Sequence, residues 1–490
     1  MLRPSGSDAD FRQALKQDLA AWNPAWGDRA AWEKEISWSL TADIDRLLEP
    51  IQALYSATRG RPAFDPAQLL RAIGLLTVRE TASLVDGFKE IRQIPWLARL
   101  CGWIRPEDLP AIGTVYAFLR RLYPEKTRRM GAWRLPSGRR RLHLKTGQKM
   151  PPRHPGAVAR VARRVAREAQ RPSRLPSPSD CWDELLARTT VESVERQILP
   201  PTWHIAPDGT SIESGASSFG KKICQCPGTS CQCRRWFSDP VALPGWDSHR
   251  HRYFLGYMPL VMAVVNAVPG DTSHPLIVSL NLHPGNRNDA VAYPDLLVKT
   301  QALYAERSVP ITITHCIGDA AFDADPLWTF TRDRQVIPVF APHGPVAPAR
   351  ISGAAEAAGI QLVGEQHQPV CADGQVLIPL GTRREGVTVY ACPLRQRKTA
   401  TCTTPCAKCG KTVTLNDHGS RYAQSGVSYG SPAWKSLYAE RTGVERAFSL
   451  WTQDGIKRAH HRRPYLWTAR LAMGAIVAHH QAWARHTEAA

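Results

Sequence analysis

The sequence lacks any long apolar run. No stretch reaches the roughly 18 apolar residues of a membrane-spanning helix, which argues against membrane insertion. Residues 1–17 also lack the apolar stretch of a secretory signal, so we expect a cytoplasmic protein. A chain of 490 residues, 43% hydrophobic and 22% charged, has the composition of an ordinary globular protein and the length for two or three domains.

Acidic residues are outnumbered by basic ones, above all in one segment. The whole chain has 63 Lys and Arg against 43 Asp and Glu, a net charge of +20. Between Arg120 and Arg174 there are 18 Lys and Arg but two acids, Glu125 and Glu168, a local net charge of +16. A solvated linker does not need such one-sided charge, whereas a polyanionic partner explains it. The sequence therefore predicts nucleic-acid binding.

The pattern of apolar residues divides the chain. Residues 1–125 have helical spacing and an N-cap signal at Asp65, which predicts an all-helical domain; a helix-turn-helix-like DNA-binding module and plain core packing fit it equally well. Residues 126–195 are Arg- and Pro-rich, with a candidate basic helix at 157–170. We interpret them as a basic linker.

Strands predominate after Trp203, which predicts an α/β layer in the next part of the chain. Its predicted elements are a hairpin of residues 253–268 and 276–282, a helix over 290–307 capped at 288–289, a strand over 311–317, a helix over 326–332 and a strand over 336–340. The predicted segments are the α/β layer at 196–340 with a Cys-rich loop at 213–252, a β-rich stretch at 341–432, and a helical end at 433–490 with helices at 434–451 and 465–485.

Three acids stand where a divalent metal site needs them. Asp208 follows a short predicted strand, Asp319 follows a longer one, and Glu445 lies on a predicted helix with Tyr438 and Arg441 on the same face. Two divalent ions bound by hard carboxylate oxygens stabilise both the attacking and the leaving oxygen in phosphodiester cleavage. We therefore select these three acids as a candidate catalytic set.

For any single acid, a structural role is the simpler interpretation. One Asp after a strand more often forms a turn or caps a helix than binds a metal. Asp289 fits such a cap, and Asp323, four residues past the strand, fits an N-cap better than a metal ligand. The metal-site hypothesis therefore depends on the set of three acids.

Several segments together resemble insertion-sequence transposases with a DDE triad on a ribonuclease H-like fold. The resemblance spans roughly residues 55–120 and 203–485. Its motifs are Gly60-Arg61-Pro62-Ala63-Phe64-Asp65, Pro207-Asp208-Gly209-Thr210, Gly245-Trp246-Asp247-Ser248-His249-Arg250, Gly318-Asp319-Ala320-Ala321-Phe322-Asp323 and Tyr438-x2-Arg441-x3-Glu445. Each motif alone is weak, but their order and placement are specific.

The resemblance implies a fold and a mechanism. The fold would be α/β: a ribonuclease H-like catalytic core with a β-rich insertion, preceded by the all-helical N-terminal domain. Asp208, Asp319 and Glu445 would hold two Mg²⁺ or Mn²⁺ ions, a water would cleave the transposon end, and the freed 3′-hydroxyl would attack target DNA. The partners would be terminal inverted repeats and target DNA, bound by a homodimer or larger oligomer associated with the bacterial nucleoid. The predicted DNA-contacting residues are Tyr438, Arg441, Arg446, Lys457, Arg458, Arg139, Arg140 and Arg141.

One position departs from the family pattern. The family often has a Lys seven residues after the Glu, where this chain has Thr452. Lys457 and Arg446 are the candidate substitutes. The departure keeps open a second hypothesis, a domesticated or decayed transposase that acts only as a sequence-specific DNA-binding protein.

Eight of the 12 cysteines fall in two tight clusters. In a reducing compartment such clusters indicate metal binding rather than cross-linking, and four thiolates around Zn²⁺ form a stable structural site. Small buried cysteines are the alternative, and Cys371 could replace a member of the second set. A zinc-ribbon nucleic-acid binder is a third hypothesis, which the three acids argue against. The candidate structural zinc ligands are Cys224, Cys226, Cys231 and Cys233, and Cys392, Cys402, Cys406 and Cys409.

Four histidines near the C-terminal end invite assignment as ligands. His479 and His480 lie in an apolar predicted helix, so we interpret them as packed core residues. His460 and His461 have arginine neighbours, which favours contact with the DNA backbone.

Overall fold

The computed structural model describes most of the chain in two compact units. The first unit is Met1–Thr312 with Thr442–Ala490, and the second is Ile313–Arg441. Arg139, Arg140 and Arg141 lie outside the described residues. The described residues are 6–56, 58, 62–123, 132–133, 156–169, 181–218, 220–227, 231, 233, 235–247, 250–266, 275–344, 350–351, 353–363, 368–384, 387–393, 403, 412–416, 427 and 429–489.

Helices dominate both ends of the described chain. The α-helices are α1 (Asp8–Ala20), α2 (Glu33–Thr41), α3 (Asp45–Gln52), α4 (Pro66–Val78), α5 (Leu84–Gln93), α6 (Pro95–Leu100), α7 (Ile112–Arg121), α8 (Ala157–Ala169), α9 (Cys181–Glu195), α10 (Asp289–Tyr304), α11 (Asp325–Asp333), α12 (Gly353–Glu356), α13 (Pro432–Ala439), α14 (Thr442–Gln453) and α15 (Pro464–Ala489).

Strands occupy the middle of the chain. They are β1 (Ala132–Trp133), β2 (Thr202–Gly209), β3 (Ile212–Glu213), β4 (Lys221–Lys222), β5 (Arg235–Trp236), β6 (Leu243–Asp247), β7 (Arg252–Val264), β8 (Leu276–Pro284), β9 (Thr312–Gly318), β10 (Ile337–Phe340), β11 (Arg350–Ile351), β12 (Gln361–Val363), β13 (Gln368–Val370), β14 (Ile378–Arg384), β15 (Val387–Ala391) and β16 (Thr412–Asn416).

Helix α4 is the buried centre of the N-terminal helices. Asp65 accepts the Ala67 N–H at 2.9 Å and Pro66 fills the first turn, so the helix begins where the sequence predicts. Gly74 lets the Trp38 indole lie against the helix backbone, since a Cβ there would be 1.9 Å from the ring. Because almost every residue of α4 is buried, it is a core helix of this region.

Strand β7 is the centre of an antiparallel sheet in the first unit. One edge pairs with β2 and β3, and the other pairs with β8 and β6. Residues 260–264 are all buried, as expected of a central strand covered on both faces. The hairpin predicted from the sequence is confirmed by the pairing of β7 with β8.

The long helix α15 packs on helices of the N-terminal region as well as on the sheet. It contacts α2, α4, α9 and β8. His479 is fully buried, with Nδ1 2.7 Å from Ser193 Oγ and Nε2 3.1 Å from the Ile277 carbonyl, and burial lowers its pKa to about 4. His480 is also buried. The prediction that both are packed core residues is confirmed. Among the described helices, none combines the length and the apolar character needed to cross a bilayer.

The second unit contains a parallel pair and a smaller β-rich part. β9 and β10 pair in parallel, with Gly318 opposite Phe340. Strands β11, β16, β15 and β14 form a four-stranded antiparallel sheet in that order. A small core lies within residues 355–413, formed by Ala355, Ile360, Leu377 and Val413.

The helix predicted over residues 434–451 is two helices, and this prediction was wrong. The Arg441 N–H bonds to the Tyr438 carbonyl three residues back, which tightens and ends α13. The chain then starts α14 at Thr442. Tyr438, Arg441 and Glu445 therefore do not share the face of one helix.

Candidate active site

Asp208 lies at the end of β2. It pairs opposite Val261 of the buried β7, and β2 ends one residue later at Gly209. The Gly209 N–H donates to Asp208 Oδ1 at 2.8 Å, which orients the half-buried carboxyl group. Asp208 is thus at a strand end, as the sequence predicts.

Asp289 lies against the backbone next to Asp208. A Cβ at Gly209 would be 2.4 Å from Asp289 Oδ1, so only glycine leaves room for this carboxylate. Asn288 is the side chain that caps α10, through the Ala290 N–H at 3.0 Å. The interpretation of Asp289 as the cap was therefore wrong. Its carboxylate instead lies beside the Asp208 strand end.

Lys457 places a cation at the same strand end. It lies in a short 3₁₀ turn, Ile456–Arg458, which follows Gly455 in the left-handed conformation at φ 63°. Its Nζ donates to Thr210 Oγ1 at 2.6 Å. Burial, and then the Arg250 charge, lower the pKa of Lys457, while Asp247 and Asp208 raise it. The ammonium group therefore interacts electrostatically with Asp208.

Asp247 is a further acid near this point that sequence reasoning did not select. Asp247 Oδ2 accepts the Ser211 hydroxyl at 2.7 Å, and Oδ1 accepts the Arg250 N–H at 3.0 Å. The motif around residue 247 was part of the resemblance, but its spacing gave no sign that the carboxyl group lies near Lys457. The strand end therefore combines acids from β2, β6 and α10.

The first turn of α14 packs against the sheet. A Cβ at Gly443 would be 2.9 Å from Val265 Cγ1, which is too short for a contact between two carbon atoms. The glycine therefore lets the helix approach the sheet closely. The Val265 N–H donates to the His204 carbonyl at 2.9 Å. Helix α14 therefore starts at the level of His204, early in β2.

Further along, α14 reaches the end of β2. The Phe448 ring centre is 5.4 Å from Lys457 Nζ, and that ammonium group bonds to Thr210. The helix thus follows β2 towards its C-terminal end. Glu445 lies on the exposed side of α14 between these two contact points.

Asp319 follows β9 in the second unit. Its Oδ1 accepts the Ala321 N–H at 2.9 Å and caps a 3₁₀ turn, Ala320–Phe322. Asp323 does not cap a helix, because its two oxygens accept the Trp328 indole N–H at 3.1 Å and the His343 N–H at 2.7 Å. The N-cap interpretation of Asp323 was wrong, and Asp319 has the capping role in addition to any metal role.

The predicted DNA-contacting residues lie in different surroundings. Tyr438 stacks on Trp434 with ring centres 4.6 Å apart, and Arg441 follows α13. Arg446 is exposed on α14, and Arg458 is exposed, 3.6 Å from a Glu80 carboxylate oxygen. His461 is buried against Trp467, and burial lowers its pKa to about 3. The interpretation of His461 as a DNA contact was therefore wrong.

The first cysteine cluster is brought together in space. Within the described part of the chain, it is the one group of three or more potential metal ligands whose ligand atoms lie within 4.8 Å of one another. Of the second cluster, Cys392 is described and buried at the end of a strand, whereas Cys402, Cys406 and Cys409 lie outside the described residues. The members of the first group are Cys224, Cys226, Cys231 and Cys233.

A mixed α/β domain with acids at a strand end, preceded by helices, is typical of DNA transposases of the DDE class. A family model described as the transposase DDE domain matches residues 203–478, more than half of the chain. The chain belongs to this transposase family, and the resemblance drawn from the motifs is confirmed. Membership implies a DNA substrate. No curated protein matches the chain.

Proposed function

We propose that this transposase is an active enzyme that binds transposon ends, hydrolyses the phosphodiester and joins the freed 3′-hydroxyl to target DNA. The observation that carries the proposal is the Lys457 ammonium group held at Thr210, beside Asp208. A cation at that point balances acids and attracts a phosphate. It also fills the role that Thr452 leaves vacant in the family pattern.

The donor set fits hard divalent cations. Asp208, Asp319 and Glu445 offer carboxylate oxygens, the ligands that Mg²⁺ and Mn²⁺ prefer. Two bound ions would supply Lewis-acid activation of the phosphate and of a water. The chain orients two of the acids beforehand, since backbone N–H groups fix Asp208 Oδ1 and Asp319 Oδ1. We propose that these three acids hold the ions.

The basic side chains around the site would position DNA. Lys457 is half-buried and lies beside Asp208, so it fits a contact at the reacting phosphate. Arg446 and Arg458 are exposed and fit contacts to phosphates further along the strand. Tyr438 and Arg441 remain proposed contacts on the resemblance alone, and Arg139, Arg140 and Arg141 remain proposed contacts on the positive charge of the basic segment.

The proposed architecture follows from the same function. We propose a ribonuclease H-like core in residues 196–340 and 433–490, interrupted by a β-rich insertion at 341–432. The helical residues 1–125 and the basic linker 126–195 would bind DNA, except for α9 within that linker, which is buried and packs on α15. Two or more copies would hold paired ends. If the protein makes roughly six to ten phosphate contacts, raising the salt concentration from about 50 to 200 mM should lower its affinity for DNA about 10³–10⁵-fold.

Cleavage of DNA that carries the element's terminal repeats tests the proposal. We expect metal-dependent cleavage by the wild type, none by Asp208→Asn, and full cleavage by Asp86→Asn, which changes an exposed acid on α5. The wild type and both variants should bind the repeat equally, measured by gel shift in the presence of a chelator. If the wild type binds but never cuts with Mg²⁺ or Mn²⁺, the binding-only alternative replaces this proposal.

A further inference from the structure

The four cysteines of the first cluster lie in a short hairpin, which we call the cysteine hairpin, residues 220–236. Its strands are β4 and β5, two residues each, with Lys221 opposite Trp236 and Lys222 opposite Arg235. Both cysteine pairs lie in the loop between the strands. Two-residue strands cannot stabilise a hairpin in water, so something else must hold the loop.

The sulfur positions fit one tetrahedral ion. Sγ of Cys224 is 3.3 Å from Sγ of Cys231, and Sγ of Cys226 is 3.4 Å from Sγ of Cys233. A disulfide needs about 2.05 Å. Zn–S bonds of about 2.3 Å give sulfur separations of about 3.8 Å in a tetrahedron. All four sulfurs lie within 4.8 Å of one another, so a small outward shift accommodates zinc.

Two basic side chains lie near the cysteines. Arg235 Nη2 is 4.0 Å from Cys231 Sγ, and the Lys222 ammonium group donates to the Cys226 carbonyl. Four thiolates around Zn²⁺ carry a net charge of −2, which such neighbours stabilise. The surroundings therefore favour the metal-bound thiolate form.

The cysteine hairpin also holds a distant part of the chain. The β1 strand pairs with β5, with Ala132 opposite Trp236 and Trp133 opposite Arg235. β1 belongs to the Arg- and Pro-rich segment, about ninety residues earlier in the sequence. The three strands β1, β5 and β4 form a separate small sheet.

We propose that Cys224, Cys226, Cys231 and Cys233 bind one structural Zn²⁺, and that this ion anchors the basic segment through β1. Metal binding contributes folding free energy to small modules that lack a core of their own. The ion would fix the cysteine hairpin and, through the β1–β5 pairing, residues 132–133 of the basic segment. It has no part in the proposed cleavage chemistry, so its test does not depend on activity.

The first experiment measures zinc in the purified full-length chain. Elemental analysis should find about one Zn²⁺ per chain fewer in Cys226→Ser/Cys233→Ser than in the wild type. The control Cys181→Ala, which changes a buried cysteine elsewhere in the chain, should contain as much zinc as the wild type. Cys233→His should keep the ion, because histidine is also a zinc ligand. Equal zinc in the wild type and the double variant would overturn the proposal. So would disulfides between these cysteines in protein purified without exposure to air.

The second experiment keeps the proposal testable if the double variant does not fold. Co²⁺ added to the zinc-stripped wild type should give the charge-transfer and visible bands of tetrahedral thiolate coordination. Removal of the ion by a chelator should increase amide hydrogen exchange at residues 132–133 and 235–236 by at least about tenfold, with the buried β7 unchanged. Absence of the thiolate bands, or unchanged exchange at β1, would overturn the proposal.

Discussion

The Lys457 ammonium group donates a hydrogen bond to the Thr210 hydroxyl over 2.6 Å, two residues beyond Asp208. The bond joins the turn after α14 to the end of β2. It therefore brings a cation, distant in sequence, to the strand end that carries the first acid.

The first prediction concerns this cation. Lys457→Ala should lower the rate of transposon-end cleavage by about 10²-fold, because a preorganised charge at a reacting phosphate has an effect of that size. DNA binding at low salt should change little. Single-turnover cleavage kinetics would measure the loss.

The matched control is Thr452→Lys, which restores the lysine of the family pattern. Thr452 is exposed, and its hydroxyl donates to the Phe448 carbonyl of its own helix. We expect this change to leave the wild-type rate unaltered and not to rescue Lys457→Ala. Rescue would mean that the family position, and not Lys457, supplies the charge.

The second prediction concerns the contact between Gly209 and Asp289. Gly209→Ala places a methyl group 2.4 Å from Asp289 Oδ1, so the strand end must shift. We expect a loss of about 1–3 kcal/mol in stability, typical of overpacking, and a larger relative loss of cleavage. Urea unfolding and cleavage assays would measure the two effects.

A double variant separates a clash from other causes. In Gly209→Ala/Asp289→Ala the obstructing carboxylate is gone, so stability should recover beyond the sum of the single effects. Additive losses would show that the two residues do not interact.

The third prediction concerns the ion pair between Asp8 and Arg71. Both side chains are buried, and Asp8 Oδ1 is 2.5 Å from Arg71 Nη2. Asp8→Ala should destabilise the chain by about 3–5 kcal/mol because it leaves a buried guanidinium group without its partner. Asp108→Ala removes an exposed pair with Arg105 and should change stability by at most about 1 kcal/mol. Similar losses from both would contradict the prediction.

The fourth prediction concerns the pH dependence of stability. Burial, and then the Glu80 charge, raise the pKa of Asp454 from 3.8 to about 6, against the opposing effects of Lys34 and Arg470. The protonated form thus favours the fold. Its contribution is complete below about pH 4 and is lost as the pH rises through about 6.

Asp454→Asn should therefore stabilise the chain at pH 7.5, by about 1 kcal/mol once partial solvent screening is included. At pH 4 the variant and the wild type should melt at the same temperature. Thermal unfolding at both pH values tests this. A variant that melts lower than the wild type at pH 7.5 would contradict it.

Much of the local structure was predictable because single-residue signals act over short distances. Asp65-Pro66 predicts the start of α4, and the apolar runs around 253–282 predict the β7–β8 hairpin. The break between α13 and α14 was not predictable from spacing alone, because the apolar spacing continues through it. The close approach of Gly443 to Val265, next to the break, is a tertiary contact that no local pattern reveals.

The acid at the strand end, Asp208, could be predicted from the sequence, but the side chains that lie next to it could not. The position of Asp208 follows from strand and turn signals. Spacing could not decide between Lys457 and Arg446, because a left-handed Gly455 and a 3₁₀ turn determine where the Lys457 side chain lies. Asp289 and Asp247 come from other elements, so only the folded chain brings them near.

Helix α15 has a consequence for damaged copies of the gene. Helices α2, α4 and α9 and the strand β8 all pack on it, so a product that stops before Pro464 loses a helix against which all four elements pack. We expect such truncated products to be degraded rather than to accumulate as fragments that occupy DNA ends. Frameshifted copies would then be silent instead of acting as inhibitors of intact ones.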